Sequence, residues 1–298
     1  MFQRAVATIV VGFALAATLS AQENQNDKDK NNKEKEKPTK IDRFCGHLPN
    51  YEALKKAITE ATAAETSGLN NQMWATIVNR DGIVCAVAFS GVDRGAQWPG
   101  SRVISAQKAN TANAFSLDAS SFSNGSGQKA GLALATANLY SAVQPGGSLY
   151  GLQASNPVDP KNAYSAWTFT QRDGTKGDSM KDVRVGGVNV FGGGLALYAA
   201  GHRIVGGLGV SGDTSCADHN IAWRVRNLLE LDHMAATDTL PAVPGPASLF
   251  ANDPTHPDNI IFDITENPNG GSGKSASGFG HPSCLNTNGS NTLPPVRP

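Results

Sequence analysis

The chain has 298 residues, with 25 Lys and Arg against 25 Asp and Glu, so its formal net charge is zero. A balanced surface offers no excess of cations to neutralise phosphates, so nucleic acid is not expected as a partner. Hydrophobic residues make up 40% of the chain and 32 residues are glycine, enough for one core of ordinary size.

Residues 1–21 read as a secretory signal peptide. Arg4 supplies the positive start, Ala5–Leu19 is apolar but short for a membrane span, and Ser20-Ala21 ends on small residues. A periplasmic or secreted location is expected, with no membrane attachment once the leader is removed. Residues 22–44 are expected to be a disordered tether, because the stretch QENQNDKDKNNKEKEKPTKI is too polar to offset chain entropy by burial. Export also decides how Cys45, Cys85, Cys216 and Cys284 are read: an oxidising compartment favours disulfides. Three pairings are open. Cys45–Cys85 with Cys216–Cys284 is the favoured one, and no C-x-x-C spacing supports zinc instead.

Asn50 is placed to cap a helix over residues 51–66, in which Tyr51, Leu54, Ile58 and Ala61 recur at helical spacing. Two β-prone runs, Met73–Arg80 and Ile83–Phe89, flank Asp81-Gly82, a strong hairpin signal. Ser101–Phe115 reads as a second helix with Ile104, Thr111 and Phe115 on one face, and Leu132–Val143 as a third. An ordered insertion is expected over about 116–185. Three short strands are expected at Gly187–Phe191, Leu195–Ala199 and Arg203–Val210. A last helix follows over Ser215–Asp232 with Ile221, Val225 and Leu228 buried. Ile260–Ile264 reads as an edge strand. The domain is set at 45–233, with 234–298 an irregular tail packed on it. Hairpin links make the expected fold α+β, a mostly antiparallel central sheet flanked by helices.

Gly207, Gly209 and Gly212 spell G-x-G-x-x-G between a strand and a helix. A dinucleotide site needs that motif inside a βαβ unit. Here it follows hairpin-linked strands and no parallel strand comes after it, so no nucleotide is expected. The glycines are read as letting the strand turn sharply into the helix.

Four segments, taken in order, resemble the GlcG/HbpS haem-binding family, also described as haem-degrading or PduO C-terminal-like domains. They are Val78–Val84, Ser105–Ala112 (like K-A-x-T-A), Gly186–Val190 (like G-G-V-P-I) and Gly201–Gly212 with Asp218 and Ile221-Ala222. The resemblance covers about residues 50–232. It implies a profilin-like domain that forms homo-oligomers and binds haem or another small molecule. It also implies a haem-ligating His on or near the first helix. Residues 51–66 hold none, so His47 is the nearest substitute, and Asn189 stands where the family has Pro.

Haem iron needs an axial donor. His47 and His219 are the candidates; His202 reads as a solvated turn residue, and His256 and His281 as inactive tail residues. Lys108 and Thr111 share a helix face, and Lys108 suits a propionate or another carboxylate, the alternative being a stem on the core with its amine in water. Asn189, Phe191, Ser211 and Asp218 complete the candidate ligand site, and Trp98 near Arg94 and Arg102 is a further candidate lining. Asp213 and Asp218 are read as capping groups before a cation site. G-x-S-x-G, H-E-x-x-H and Walker patterns are absent, and Ser211 lacks an assignable base, so no catalytic set is assigned. The expected role is an exported haem- or small-ligand-binding protein. The alternatives are an enzyme on a small carboxylated or hydroxylated metabolite and a structural oligomer without ligand.

Overall fold

The computed structural model describes residues 42–122, 131–164, 172–271, 273–285 and 292–298, so the expected leader and residues 22–41 of the tether lie outside the described residues. The tether does not run on to residue 44, because Asp42–Cys45 forms a one-turn helix, α1, next to the Cys45–Cys85 disulfide that anchors it. Helix α2 (Tyr51–Ala63) starts where the Asn50 side chain accepts from the Ala53 amide at 3.0 Å. It buries Leu54, Ala57, Ile58 and Ala61.

Strands β1 (Trp74–Asn79) and β2 (Val84–Phe89) pair antiparallel around Asp81-Gly82, with Gly82 at φ +75°. The Asn79 carboxamide accepts from the Asp81 and Ile83 amides at 3.0 and 2.9 Å, which closes the turn. Helix α3 (Ser101–Phe115) follows, then short helical turns and α4 (Pro160–Tyr164). Strands β3 (Gly194–Ala199) and β4 (Arg203–Ser211) form a second hairpin, and α5 (Ser215–Leu228) follows directly. Beyond it lie α6 (Pro246–Phe250) and a small ribbon, β5 (Ile264–Thr265) with β6 (Lys274–Ser275).

The main sheet has the order β2-β1-β4-β3 with every neighbouring pair antiparallel. Alternate residues of each strand serve opposite faces. Ala75, Ile77, Leu195, Leu197, Leu208 and Val210 join Leu54 and Ile58 of α2 and Ile221 and Val225 of α5 in one core. Trp74, Val78, Val84 and Val87 join Val103, Ala106 and Ala109 of α3 in the other. The fold is therefore α+β, as expected. The G-x-G-x-x-G glycines do a packing job: a Cβ at Gly209 would stand 1.9 Å from the Ser105 carbonyl, and one at Gly207 2.2 Å from that of Ala109. Gly207 and Gly209 let α3 lie directly on β4, while Gly212 packs against Gln72 and Met73.

Several expected elements differ. Gly187–Phe191 is not a strand; Asn110 and Thr111 side chains hold the Gly187 carbonyl and Asn189 amide instead of a neighbouring strand. Leu132–Val143 holds two 3₁₀ turns rather than an α-helix, because Thr136 and Asn138 are tied to Gly194 and to Asn259 and Ile261. On α3 the buried stripe is Val103, Ala106 and Ala109, while Ile104 and Phe115 are only half-buried. Helix α5 ends at Leu228, which is exposed; Trp223 is buried in its place. Ile260 and Ile261 are buried without joining the main sheet. Among the described residues no helix is long and apolar enough to cross a membrane.

Candidate functional site

At the end of the sheet where β4 finishes and β3 begins, Lys108 reaches from α3 toward the start of α5. Its ammonium donates to the Val210 carbonyl at 3.0 Å and to Asp218 Oδ2 at 2.5 Å. The other Asp218 oxygen accepts from the Asp213 amide at 2.8 Å. Both side chains of the ion pair are 0% exposed. The Phe191 ring covers the ammonium, with its centroid 3.8 Å from Nζ. Lys108 therefore does not snorkel to water as its sequence context allowed.

Glycine makes this approach possible. A Cβ at Gly193 would stand 2.2 Å from the Val210 carbonyl and 3.2 Å from Lys108 Nζ. Burial pushes the Lys108 ammonium down to about 8 against the pull of Asp218. Burial likewise pushes the Asp218 carboxyl up to about 7 against the pull of Lys108. Thr111, one turn beyond Lys108, accepts from the Asn189 amide at 3.0 Å and donates to the Gln107 carbonyl at 2.8 Å. Asn189 in turn accepts from the Phe191 amide at 3.4 Å. Lys108, Thr111, Asn189, Phe191 and Asp218 are thus brought together. Ser211 is buried one residue past Val210, opposite Trp74 in the sheet. Asp213 is spent on backbone, accepting from the Leu69, Asn71 and Thr214 amides at 2.5–3.0 Å.

The other candidates lie elsewhere. Arg102 is buried and committed to Asp178 at 2.5 and 2.9 Å and to the Ala163 carbonyl at 3.1 Å, so it does not line a pocket with Trp98, which is half-exposed. The insertion folds its residues 173–179 onto the start of α3 and claims the guanidinium; the Arg94 side chain lies outside the described residues. His47 is exposed beside Cys45. His219 is fully buried on α5, near Trp223 at 6.0 Å between ring centroids. Among the described residues neither of its ring nitrogens meets a hydrogen-bond partner in good geometry. Burial pushes its imidazole down to about 3, and the nearby Asp258 and Asn259 only partly oppose this. His202 is not solvated: it is buried, with Nε2 2.8 Å from the Ala235 carbonyl, because the tail folds over its turn.

Two residues were not anticipated. His281, set aside as a tail residue, lies with Nε2 2.7 Å from Ser215 Oγ at the first residue of α5. Ser215 Oγ also accepts from the Gly192 amide at 2.6 Å. The signal was present in the favoured pairing of Cys216 with Cys284, which carries their neighbours Ser215 and His281 together. Both disulfides join the favoured partners, with Cα separations of 5.5 Å for Cys45–Cys85 and 6.1 Å for Cys216–Cys284. Cys216, His281 and Cys284 place potential metal donors within 4.8 Å of one another, but the disulfide consumes both thiols.

Surface clefts of about 280, 450 and 630 Å³ are lined by neither His47 nor His219. A family model described as haem degrading protein HbpS-like matches residues 50–226, more than half of the 298-residue chain. Similar solved structures include a PduOC–haem complex, at 24% identity over 59% of this chain and 89% of that one with a TM-score of 0.37. The Klebsiella pneumoniae protein ORFY is 25% identical over 61% of this chain and 90% of its own, with a TM-score of 0.37. HbpS is 17% identical over 62% and 95%, with a TM-score of 0.33. No curated protein matches the chain.

Proposed function

The chain belongs to the HbpS-like family, and from that premise we propose that it is an exported protein that binds a small carboxylate at Lys108, beneath the Phe191–Gly194 loop. The observation that carries this reading is a fully buried ammonium covered by the half-buried Phe191 ring, on a loop whose glycines pack closely against Ser215, Val210 and Thr136. Displacing the half-buried Phe191 ring would bring a ligand carboxylate to Nζ. Asp218, already raised by burial, would then take up a proton rather than stand as a second anion beside the ligand. Thr111 and Asn189 hold the loop that makes the lid.

Haem is the ligand that the family description names. His219 supplies a neutral imidazole with unpartnered nitrogens, which is suitable donor chemistry, but it faces none of the clefts above and stands apart from the exposed His47. The residues as placed do not fit a haem. The deciding experiment is calorimetric titration of the disulfide-intact protein with acetate, lactate and succinate, with haemin followed by absorbance in parallel. Binding of a carboxylate with proton uptake, weakened by Lys108→Met and altered by Phe191→Ala, is the expected result. Carboxylate affinity indifferent to both changes removes the site. A Soret shift lost in His47→Ala or His219→Ala would replace the carboxylate reading with haem and name its donor.

A further inference from the structure

We infer that Ser215 and His281 form a nucleophile–base pair, and that the chain hydrolyses a small neutral carboxylic ester there. The reaction needs no ligand at Lys108, although the Gly192 amide that holds Ser215 belongs to the Phe191–Gly194 loop. His281 Nδ1 lies 2.7 Å from the Pro282 carbonyl, which can only accept, so Nδ1 carries the proton. Nε2 then presents its lone pair to Ser215 Oγ at 2.7 Å, and the hydroxyl donates. His281 is buried, and burial favours its neutral, base-competent form.

Ser215 is prepared from its own side. It opens the 14-residue helix α5, and Thr214 in the cap position gives no side-chain hydrogen bond to the first turn. The cap side chain therefore does not occupy the first-turn amides, although Asp218 stands in the same turn. The Gly192 amide holds one lone pair of Oγ at 2.6 Å, leaving another for attack, and Ser215 is only half-buried. The Cys216–Cys284 disulfide fixes the two segments one residue from Ser215 and three from His281. A cleft of about 450 Å³ lies next to the pair: its lining includes Pro282, which follows His281, and Tyr140, whose ring is 5.7 Å from that of His281, while Ser215 and His281 themselves stand behind that lining. Ile264 adds an apolar wall, and Glu266 in the lining disfavours an anionic substrate.

The chemistry balances without a cofactor. Ser215 Oγ attacks the ester carbonyl carbon while its proton passes to His281 Nε2. Collapse of the tetrahedral intermediate breaks the acyl–oxygen bond, and His281 returns the proton to the leaving alcohol. Water then attacks the acyl-serine with His281 again taking the proton, and the carboxylic acid leaves as Ser215 is restored.

The test is reaction of the full, disulfide-intact chain with a fluorophosphonate probe, read by mass spectrometry of the peptide bearing Ser215, together with p-nitrophenyl acetate turnover. One adduct on Ser215 is expected, absent in Ser215→Ala and formed about a hundredfold more slowly in His281→Gln. Should His281→Gln fail to fold, the site of the wild-type adduct still decides. No adduct, an adduct on another residue, or a rate unchanged in a folded His281→Gln protein overturns the inference. The adduct is read on the wild-type chain with no carboxylate present, so a missing adduct overturns this inference whether or not a carboxylate binds at Lys108.

Discussion

The Lys108–Asp218 pair makes the residue scale quantitative. Removing one partner of a buried pair leaves the other charge without compensation, at about 3–5 kcal/mol, whereas replacing both with apolar groups is often neutral or better. Lys108→Met is therefore expected to lose that much stability at pH 8, and Lys108→Met with Asp218→Leu to recover most of it. The sign with pH follows from Asp218. Its carboxyl is raised in the folded protein, so its contribution is present below the unfolded value near 3.8 and is lost as pH rises through about 7. The single variant should be nearly normal at pH 5 and worst above neutrality. Urea midpoints at the two pH values measure this, and an equal loss at both would refute it. His219 works in the opposite sense. Its imidazole falls from 6.5 to about 3, so its contribution is full above 6.5 and is lost as pH drops toward 3. His281, also lowered by burial, adds to the same acid limb. His219→Leu should shrink the fall in Tm between pH 7 and pH 4; an unchanged fall would show that the ring is not held neutral.

At the scale of elements, the contact of α3 with β4 depends on two hydrogens. Gly209→Ala would drive a methyl into the Ser105 carbonyl, where 1.9 Å is available, so overpacking should cost about 1–3 kcal/mol. Gly100→Ala meets nothing within 4 Å and serves as the near-neutral control in the same urea titration. A Gly209→Ala protein as stable as that control would contradict the packing. The same contact explains what the sequence made legible. Local rules were enough for Asn50 as a cap, Asp81-Gly82 as a hairpin turn and the Ser101–Phe115 helix, since each is decided by residues within one turn. They failed at Gly187–Phe191, where the Asn110 and Thr111 side chains claim the backbone, and at Leu132–Val143, where the Asn138 side chain is spent on the Asn259 carbonyl and the Ile261 amide. The site was legible where it follows motif spacing, as for Lys108, Thr111 and Asp218. It was not legible at His281, which lies 66 residues beyond Ser215 and reaches it only through the tail.

On the scale of the whole molecule, that tail is part of the core. The family match ends at residue 226, yet Met234, Val243, Leu293 and Val296 belong to the main apolar cluster with Leu54 and Trp223. Arg226 on α5 is fully buried, and its guanidinium is neutralised by Asp258, at 2.6 and 2.8 Å. The Trp223 indole donates to the Pro294 carbonyl at 2.8 Å, and Cys284 closes a 68-residue span back to Cys216. A chain ending at His233 would expose that apolar surface and leave a buried arginine unpaired. It should therefore fail to give a cooperative thermal transition, while the full chain melts in one step. Asp258→Ala isolates the electrostatic part without truncation, at about 3–5 kcal/mol for the uncompensated guanidinium. Reducing the Cys216–Cys284 bond should cost about 4 kcal/mol on chain-entropy grounds, given its 68-residue separation. If the truncated chain melted cooperatively near the temperature of the full one, residues 234–298 would be an appendage, and His281 would lose the rigid support that holds it against Ser215.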